Sequence, residues 1–78
     1  INPQYSNAHN NKGLALFSFN KITEAIGCFN RAIEISPKNS DAYYNKGNAF
    51  FSLDKKTEAV EFYNRAIEIN PQDSNAYN

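Results

Sequence analysis

Cysteine, methionine and tryptophan are nearly missing from this sequence: Cys28 stands alone, and the other two do not occur in its 78 residues. One thiol can form no internal disulfide and cannot build a zinc site from cysteines. Cys28 falls between Ile26 and Phe29 in an apolar helical pattern, where a small buried thiol is expected rather than a nucleophile. Neither sign of charge is in excess, since eight Lys+Arg balance eight Asp+Glu. A neutral chain lacks the field that draws basic proteins to nucleic acid or to anionic membranes, so neither is expected as a partner. No apolar run approaches the length of a signal-peptide core or a membrane span. Asn is abundant, yet no Asn-x-Ser/Thr acceptor occurs, which fits an intracellular, cytoplasmic chain.

Parts for catalysis are equally scarce. The three glycines, Gly13, Gly27 and Gly47, are isolated in helical patterns and cannot cradle a phosphate. The carboxylates are scattered without a convergent pair, and His9 and Cys28 are single residues in helix-packing contexts. The expectation is no enzyme, no cofactor and no metal.

What the chain does have is an internal repeat, which has to be sought before any other pattern. Shifted by 34 residues, Ile1, Ile35 and Ile69 align, as do Pro3, Pro37 and Pro71, and Ser6, Ser40 and Ser74. Gly13 falls on Gly47, Ala25 on Ala59 and Ala32 on Ala66, and 19 of the 34 pairs between 6–39 and 40–73 are identical. The expected organisation is the end of one unit over 1–5, full units over 6–39 and 40–73, and the start of another over 74–78.

Each unit reads as two helices. The first runs from about Ser6 or Ser40, offered as N-caps, to Phe19 or Leu53, where the polar steps Asn20-Lys21 and Asp54-Lys55 break the pattern. The second starts near Thr23 or Thr57, again as N-caps, and ends before Pro37 or Pro71, because proline disfavours the α region for the residue before it. Within it Ile22, Ala25, Ile26, Phe29, Ala32 and Ile33 form an i, i+3, i+4, i+7 stripe, repeated by Ala59, Val60, Tyr63, Ala66 and Ile67. Glu61 and Arg65 stand on the opposite face as an i, i+4 pair. Gly13/Gly47 and Ala15/Ala49 on the first helix and Ala25/Ala59 on the second predict close approach inside a unit, and Ala32/Ala66 predict it toward the next. Gly27, facing Glu61 in the other unit, reads as drift on an exposed surface.

The aromatic, Gly, Ala, aromatic and Pro positions resemble the tetratricopeptide repeat: Tyr43, Gly47, Phe50, Ala59, Tyr63, Ala66 and Pro71, and in the first unit His9, Gly13, Leu16, Ala25, Phe29, Ala32 and Pro37. His9 departs from the family's usual large aromatic, and Lys12 and Lys46 from its usual leucine. The His reads as a core-edge packing residue and the lysines as snorkelling side chains. The resemblance implies an all-α fold, a helix-turn-helix repeat solenoid wound as a right-handed superhelix, cut from a longer array, with a concave wall of first helices that holds peptide segments or partner domains.

The groove stripe expected on that wall is Asn7, Asn10, Asn11, Leu14, Phe17 and Ser18 in the first unit and Asp41, Tyr44, Asn45, Asn48, Phe51 and Ser52 in the second, with Asn75 and Asn78 beginning a third set. These positions face away from the Ala/Gly seam. The carboxylate clamp of some family members is not expected, because Asn10, Tyr44, Asn7 and Asp41 stand where its cations would. Asn11 and Asn45 resemble the asparagine ladder of other members, whose amides pair with a peptide bond of any sequence; the alternative is that Asn there only bonds the neighbouring repeat. The functional expectation is a protein-interaction scaffold. The alternatives are a structural solenoid that self-associates end to end, and a substrate-recognition arm of a larger enzyme such as a glycosyltransferase.

Overall fold

The computed structural model describes residues 3–71, which form four helices: α1 (Pro3–Ser18), α2 (Ile22–Ile35), α3 (Ser40–Ser52) and α4 (Lys56–Ile69). The positions 1–2 and 72–78, including Asn75 and Asn78, lie outside the described residues. Helix α1 packs on α2, α2 on α3, and α3 on α4, with α1 also touching α3, so each helix meets its chain neighbours. No described helix is long and apolar enough to cross a membrane.

The same device closes both first helices. Asn20 and Asp54 sit at φ 64° and 63°, the left-handed region that Asn and Asp enter more easily than most residues. The amides of Lys21 and Lys55 then donate to Leu16 O and Phe50 O at 2.9 Å each, and those of Asn20 and Asp54 donate to Phe17 O and Phe51 O. This paired 6→1 and 5→2 bonding is a Schellman stop with Asn or Asp in the usual place of glycine. The polar steps therefore do more than interrupt the apolar pattern: they turn the chain.

Helix starts differ from the sequence reading. Helix α1 begins at Pro3, so Ser6 lies inside it, and its Oγ donates to Ala32 O at 2.8 Å instead of capping. Asn39, not Ser40, caps α3: its side chain accepts from the Ala42 amide at 3.1 Å and its Nδ2 donates to Ser6 Oγ at 2.8 Å. Thr23 and Thr57 cap nothing, because α2 and α4 start one residue earlier, after Lys21 and Lys55, which make no side-chain cap bond. The tight Schellman turn leads straight into the second helix, which leaves the threonines inside its first turn. The Glu61–Arg65 pair is replaced by i, i+3 pairs, Arg65–Glu68 at 3.4 Å and Arg31–Glu34 at 3.1 Å, both exposed and weakened by solvent screening.

Alanine makes the core. Ala25, Ala32, Ala42, Ala49, Ala59 and Ala66 are fully buried, and Phe29 is the one large apolar side chain that joins them among the described residues. Gly13 and Gly47 lie under aromatic rings: a Cβ built on Gly13 would meet Phe29 Cε1 at 2.5 Å, and one on Gly47 would meet Tyr63 Cε1 at 2.6 Å. Their placement at the seam inside each unit holds. Ala49 does not belong to that seam. It clusters with Ala25 and Phe29 of the first unit, so it serves the boundary between units, and its counterpart Ala15 is exposed. Ala8 is exposed for the same reason where Ala42 is buried. Val60 is 54% exposed, whereas Ile26, one unit earlier, packs against the core cluster. Cys28, expected to be buried, is half-buried and free.

Candidate functional site

The twelve residues of the predicted stripe occupy α1 and α3. In α1, Asn7, Asn11, Leu14 and Ser18 are exposed, Asn10 is buried, and Phe17 is half-buried against the core cluster. In α3, Asp41, Phe51 and Ser52 are exposed, Tyr44 and Asn48 are half-buried, and Asn45 is buried. Phe17 and Tyr44 are thus partly committed to packing, while Leu14, at 43%, and Phe51, at 54%, stay open. Ser18 turns its hydroxyl onto its own helix and donates to Ala15 O at 2.7 Å.

Two side-chain bonds organise this face. Asn45 Nδ2 donates to Asn10 Oδ1 at 3.0 Å, a buried bond between helices of different units. One of the two asparagines proposed as ladder rungs is therefore tied to the neighbouring repeat, whereas Asn11 remains exposed. The second bond runs from the Tyr63 hydroxyl to Asn48 Oδ1. Tyr63 also lies against Tyr44, with ring centroids 5.8 Å apart and an interplanar angle of 43°. Burial, and then the neighbouring Tyr44, hold the Tyr63 phenol above the ordinary tyrosine value. Neutral phenol is the form that can donate to Asn48.

Tyr63 was read only as a packing position, yet it brings a hydroxyl to the stripe. The signal lay in a double difference between the units. Leu14 and Phe29 occupy in the first unit the positions of Asn48 and Tyr63 in the second. An apolar pair has been exchanged for a hydrogen-bonded one, and both members must change together for the bond to form.

On the other side of the helix pair, Lys46 bears out the snorkelling expectation. Its Nζ lies 4.4 Å from the centroid of Phe62, and burial holds its ammonium below the ordinary lysine value. Phe62 in turn meets Phe50 at 4.9 Å, and the Arg65 guanidinium lies 5.9 Å from the Tyr43 ring. His9 and Lys12, their counterparts in the first unit, are half-buried and exposed respectively.

Helix pairs of this register, with glycine under an aromatic ring and an alanine seam, match the family described as "Tetratricopeptide repeat" over residues 40–73 and that described as "TPR repeat" over 13–54. The chain belongs to the tetratricopeptide repeat family. Among solved structures, it superposes on the second TPR of Spaghetti (RPAP3) bound to HSP90 peptide SRMEEVD with a TM-score of 0.92 and 25% identity, covering 96% of this chain and 69% of that one. The first TPR of the same protein, bound to the same peptide, gives a TM-score of 0.94 and 28% identity over 99% of this chain and 61% of that chain. YrrB, described as a TPR protein with an unusual peptide-binding site, gives 0.89 and 28% over 92% of this chain, which spans 37% of its length. A search of curated protein sequences returns no match. The all-α repeat fold expected from the TPR pattern is the fold observed.

Proposed function

We propose that this TPR segment is a binding module for extended peptide segments, held along the face formed by α1 and α3, and not an enzyme. The observation that carries the reading is the composition of that face. It joins exposed amides at Asn7 and Asn11, exposed apolar side chains at Leu14 and Phe51, and the Tyr44–Tyr63–Asn48 cluster. Asp41 is the one charged residue of the stripe, and the Lys56 ammonium lies 5.8 Å from the centroid of the Phe51 ring. Amides supply donors and acceptors that fit a peptide backbone, and the aromatic and aliphatic groups supply area, at roughly 25 cal/mol per Å² buried. The likeness to TPR structures carrying a bound peptide supports a peptide as the kind of ligand. The peptide chemistry should differ, because SRMEEVD is acidic and no cation stands among the twelve residues of the stripe.

The test is a peptide selected from a random displayed library against this chain, with SRMEEVD as the comparison. The selected peptide should bind with little dependence on salt, because among the stripe residues only Asp41 offers a charge for screening to act on. It should lose affinity on Asn11→Ala or Phe51→Ala with the melting temperature unchanged, whereas Asn45→Ala should lower stability because it leaves Asn10 without its partner. Backbone amide shifts that map away from α1 and α3, or an affinity that collapses with added salt, would sink the proposal.

End-to-end association is a second reading with an observation of its own. Ala8, Ala15 and Val60 are exposed at positions whose counterparts Ala42, Ala49 and Ile26 form the internal boundary. A stack of copies would repeat that boundary, and the sedimentation coefficient would then rise with protein concentration.

A further inference from the structure

The two units also differ on the side of the helix pair away from the stripe. In the second unit this side is filled by the unit's own side chains: Phe62 packs at a tilt of 55° against Phe50 and carries Lys46, and Tyr43 carries Arg65. In the first unit the corresponding place is an open cleft of about 480 Å³ between α1 and α2. Helix α1 lines it with His9, Lys12 and Leu16, and α2 with Glu24, Gly27, Cys28 and Arg31. Position by position, Phe62 has become Cys28, Phe50 has become Leu16, Tyr43 has become His9 and Glu61 has become Gly27. A Cβ built on Gly27 meets nothing within 4 Å, so this part of the wall is open. Apart from Glu61 the charged residues are kept: Lys12, Arg31 and Glu24 correspond to Lys46, Arg65 and Glu58.

The charges kept and the rings lost are complementary. Lys46 and Arg65 each face an aromatic ring within 6 Å of its centroid, the range in which a cation is drawn to the ring's negative face. Lys12 and Arg31 hold the same positions with His9 and Cys28 in place of Tyr43 and Phe62. What the cleft lacks is a phenyl or phenol ring, and the second unit shows how one fits. None of the stripe residues lines this cleft, so it is independent of the peptide face.

We propose that the cleft over Cys28 and Gly27 is a docking site for an aromatic side chain of a partner polypeptide, its ring resting on Cys28 and Leu16 with a face toward Lys12, as Phe62 rests on Phe50 beneath Lys46. The probe is N-acetylphenylalaninamide, with N-acetylleucinamide as the control, added to the 78-residue chain. The aromatic probe should shift the backbone amides of Gly27 and Cys28 and slow the reaction of the Cys28 thiol with a disulfide reagent; the aliphatic control should do neither to a comparable extent. Lys12→Gln should weaken the aromatic probe roughly two- to fivefold, the share expected of one exposed cation–ring contact. Cys28→Phe supplies the ring from within, so it should raise the melting temperature and abolish the shift at Gly27. Leu16→Phe makes the same test without touching the thiol, should Cys28→Phe not fold.

Equal effects of the two probes would reduce the cleft to an apolar patch and overturn the proposal. So would no effect of either probe up to its solubility, or a variant that folds with the new ring and still responds to the probe. Protection of Cys28 that grows with protein concentration alone would assign the ring to an exposed aromatic of a second copy, such as Tyr5, Phe19 or Phe51, and would also overturn it.

Discussion

Replacing each glycine by alanine separates two physical effects that usually arrive together. All three glycines lie within helices, so each replacement should gain roughly 1 kcal/mol of helix propensity. At Gly27 nothing opposes that gain, since the new methyl meets no atom within 4 Å. At Gly13 the methyl would come 2.5, 2.8 and 3.0 Å from three carbons of the Phe29 ring, which is fully buried and cannot swing into solvent. Overpacking of this kind costs about 1–3 kcal/mol, which leaves a net loss of about 0–2 kcal/mol after the propensity gain. Gly47 should fall between the two. Its methyl would meet Tyr63 at 2.6 and 2.7 Å, but that ring is only half-buried and can tilt, loosening its bond to Asn48 as it does so. The order of stability should therefore be Gly27→Ala above the parent, and Gly47→Ala above Gly13→Ala. For a domain of this size, 1 kcal/mol corresponds to roughly 4–8 °C in melting temperature, so thermal unfolding followed by circular dichroism resolves the series. If Gly13→Ala stabilised as much as Gly27→Ala, the close approach of α1 to Phe29 would be refuted, and with it the explanation of why glycine stands in mid-helix.

Ser6→Ala removes the bond to Ala32 O and strips Asn39 Nδ2 of its acceptor, and it should cost about 1–3 kcal/mol in urea unfolding, clearly more than Ser40→Ala in the second unit. Asp54→Gly relieves a non-glycine residue at φ 63° and should raise stability by up to about 1 kcal/mol, provided the Schellman bonds of Asp54 and Lys55 survive. Above pH about 10, the ordinary tyrosine value, the unfolded chain ionises before Tyr63 does in the folded one, so stability should fall as pH rises. Lys46 acts with the opposite sign, its contribution being full above the ordinary lysine value and lost as pH falls through its lowered folded value. Tyr63→Phe should accordingly remove the alkaline fall and keep the rise due to Lys46, as read from melting temperatures across that range.

Much of the fold was legible because the repeat supplied its own control. Pro37 and Pro71 mark helix ends that the structure places at Ile35 and Ile69, and the shared Gly13/Gly47 marks a real contact with the facing ring. Cap chemistry was harder to read. Ser6 looks like an N-cap because serine often is one, but its hydroxyl reaches Ala32, a partner 26 residues away that only the folded helix pair brings near. Asn20 and Asp54 looked like simple breakers, since nothing in a polar pair reveals that the chain takes a positive φ there. Within the stripe, Asn11, Leu14 and Phe51 are exposed, as helical period can indicate. It could not tell that Asn45 bonds Asn10, or that Tyr63 reaches Asn48 from the neighbouring helix, because period describes one helix and these bonds join two.

The chain-neighbour packing of α1 through α4 has a further consequence, for how such a molecule folds and yields to force. The buried bond between Asn10 and Asn45 spans 35 residues of sequence, barely more than one repeat. Nothing in this arrangement requires distant segments to find one another, so the search that slows most β-rich domains is short here, and folding should be fast for the chain's length. Lengthening such an array adds contacts without adding sequence distance, which leaves the entropy of each closing step unchanged. Pulled from its ends in an optical trap, the chain should part first between α2 and α3, which touch least among the chain neighbours, and then open each helix pair, rather than rupture as a single block.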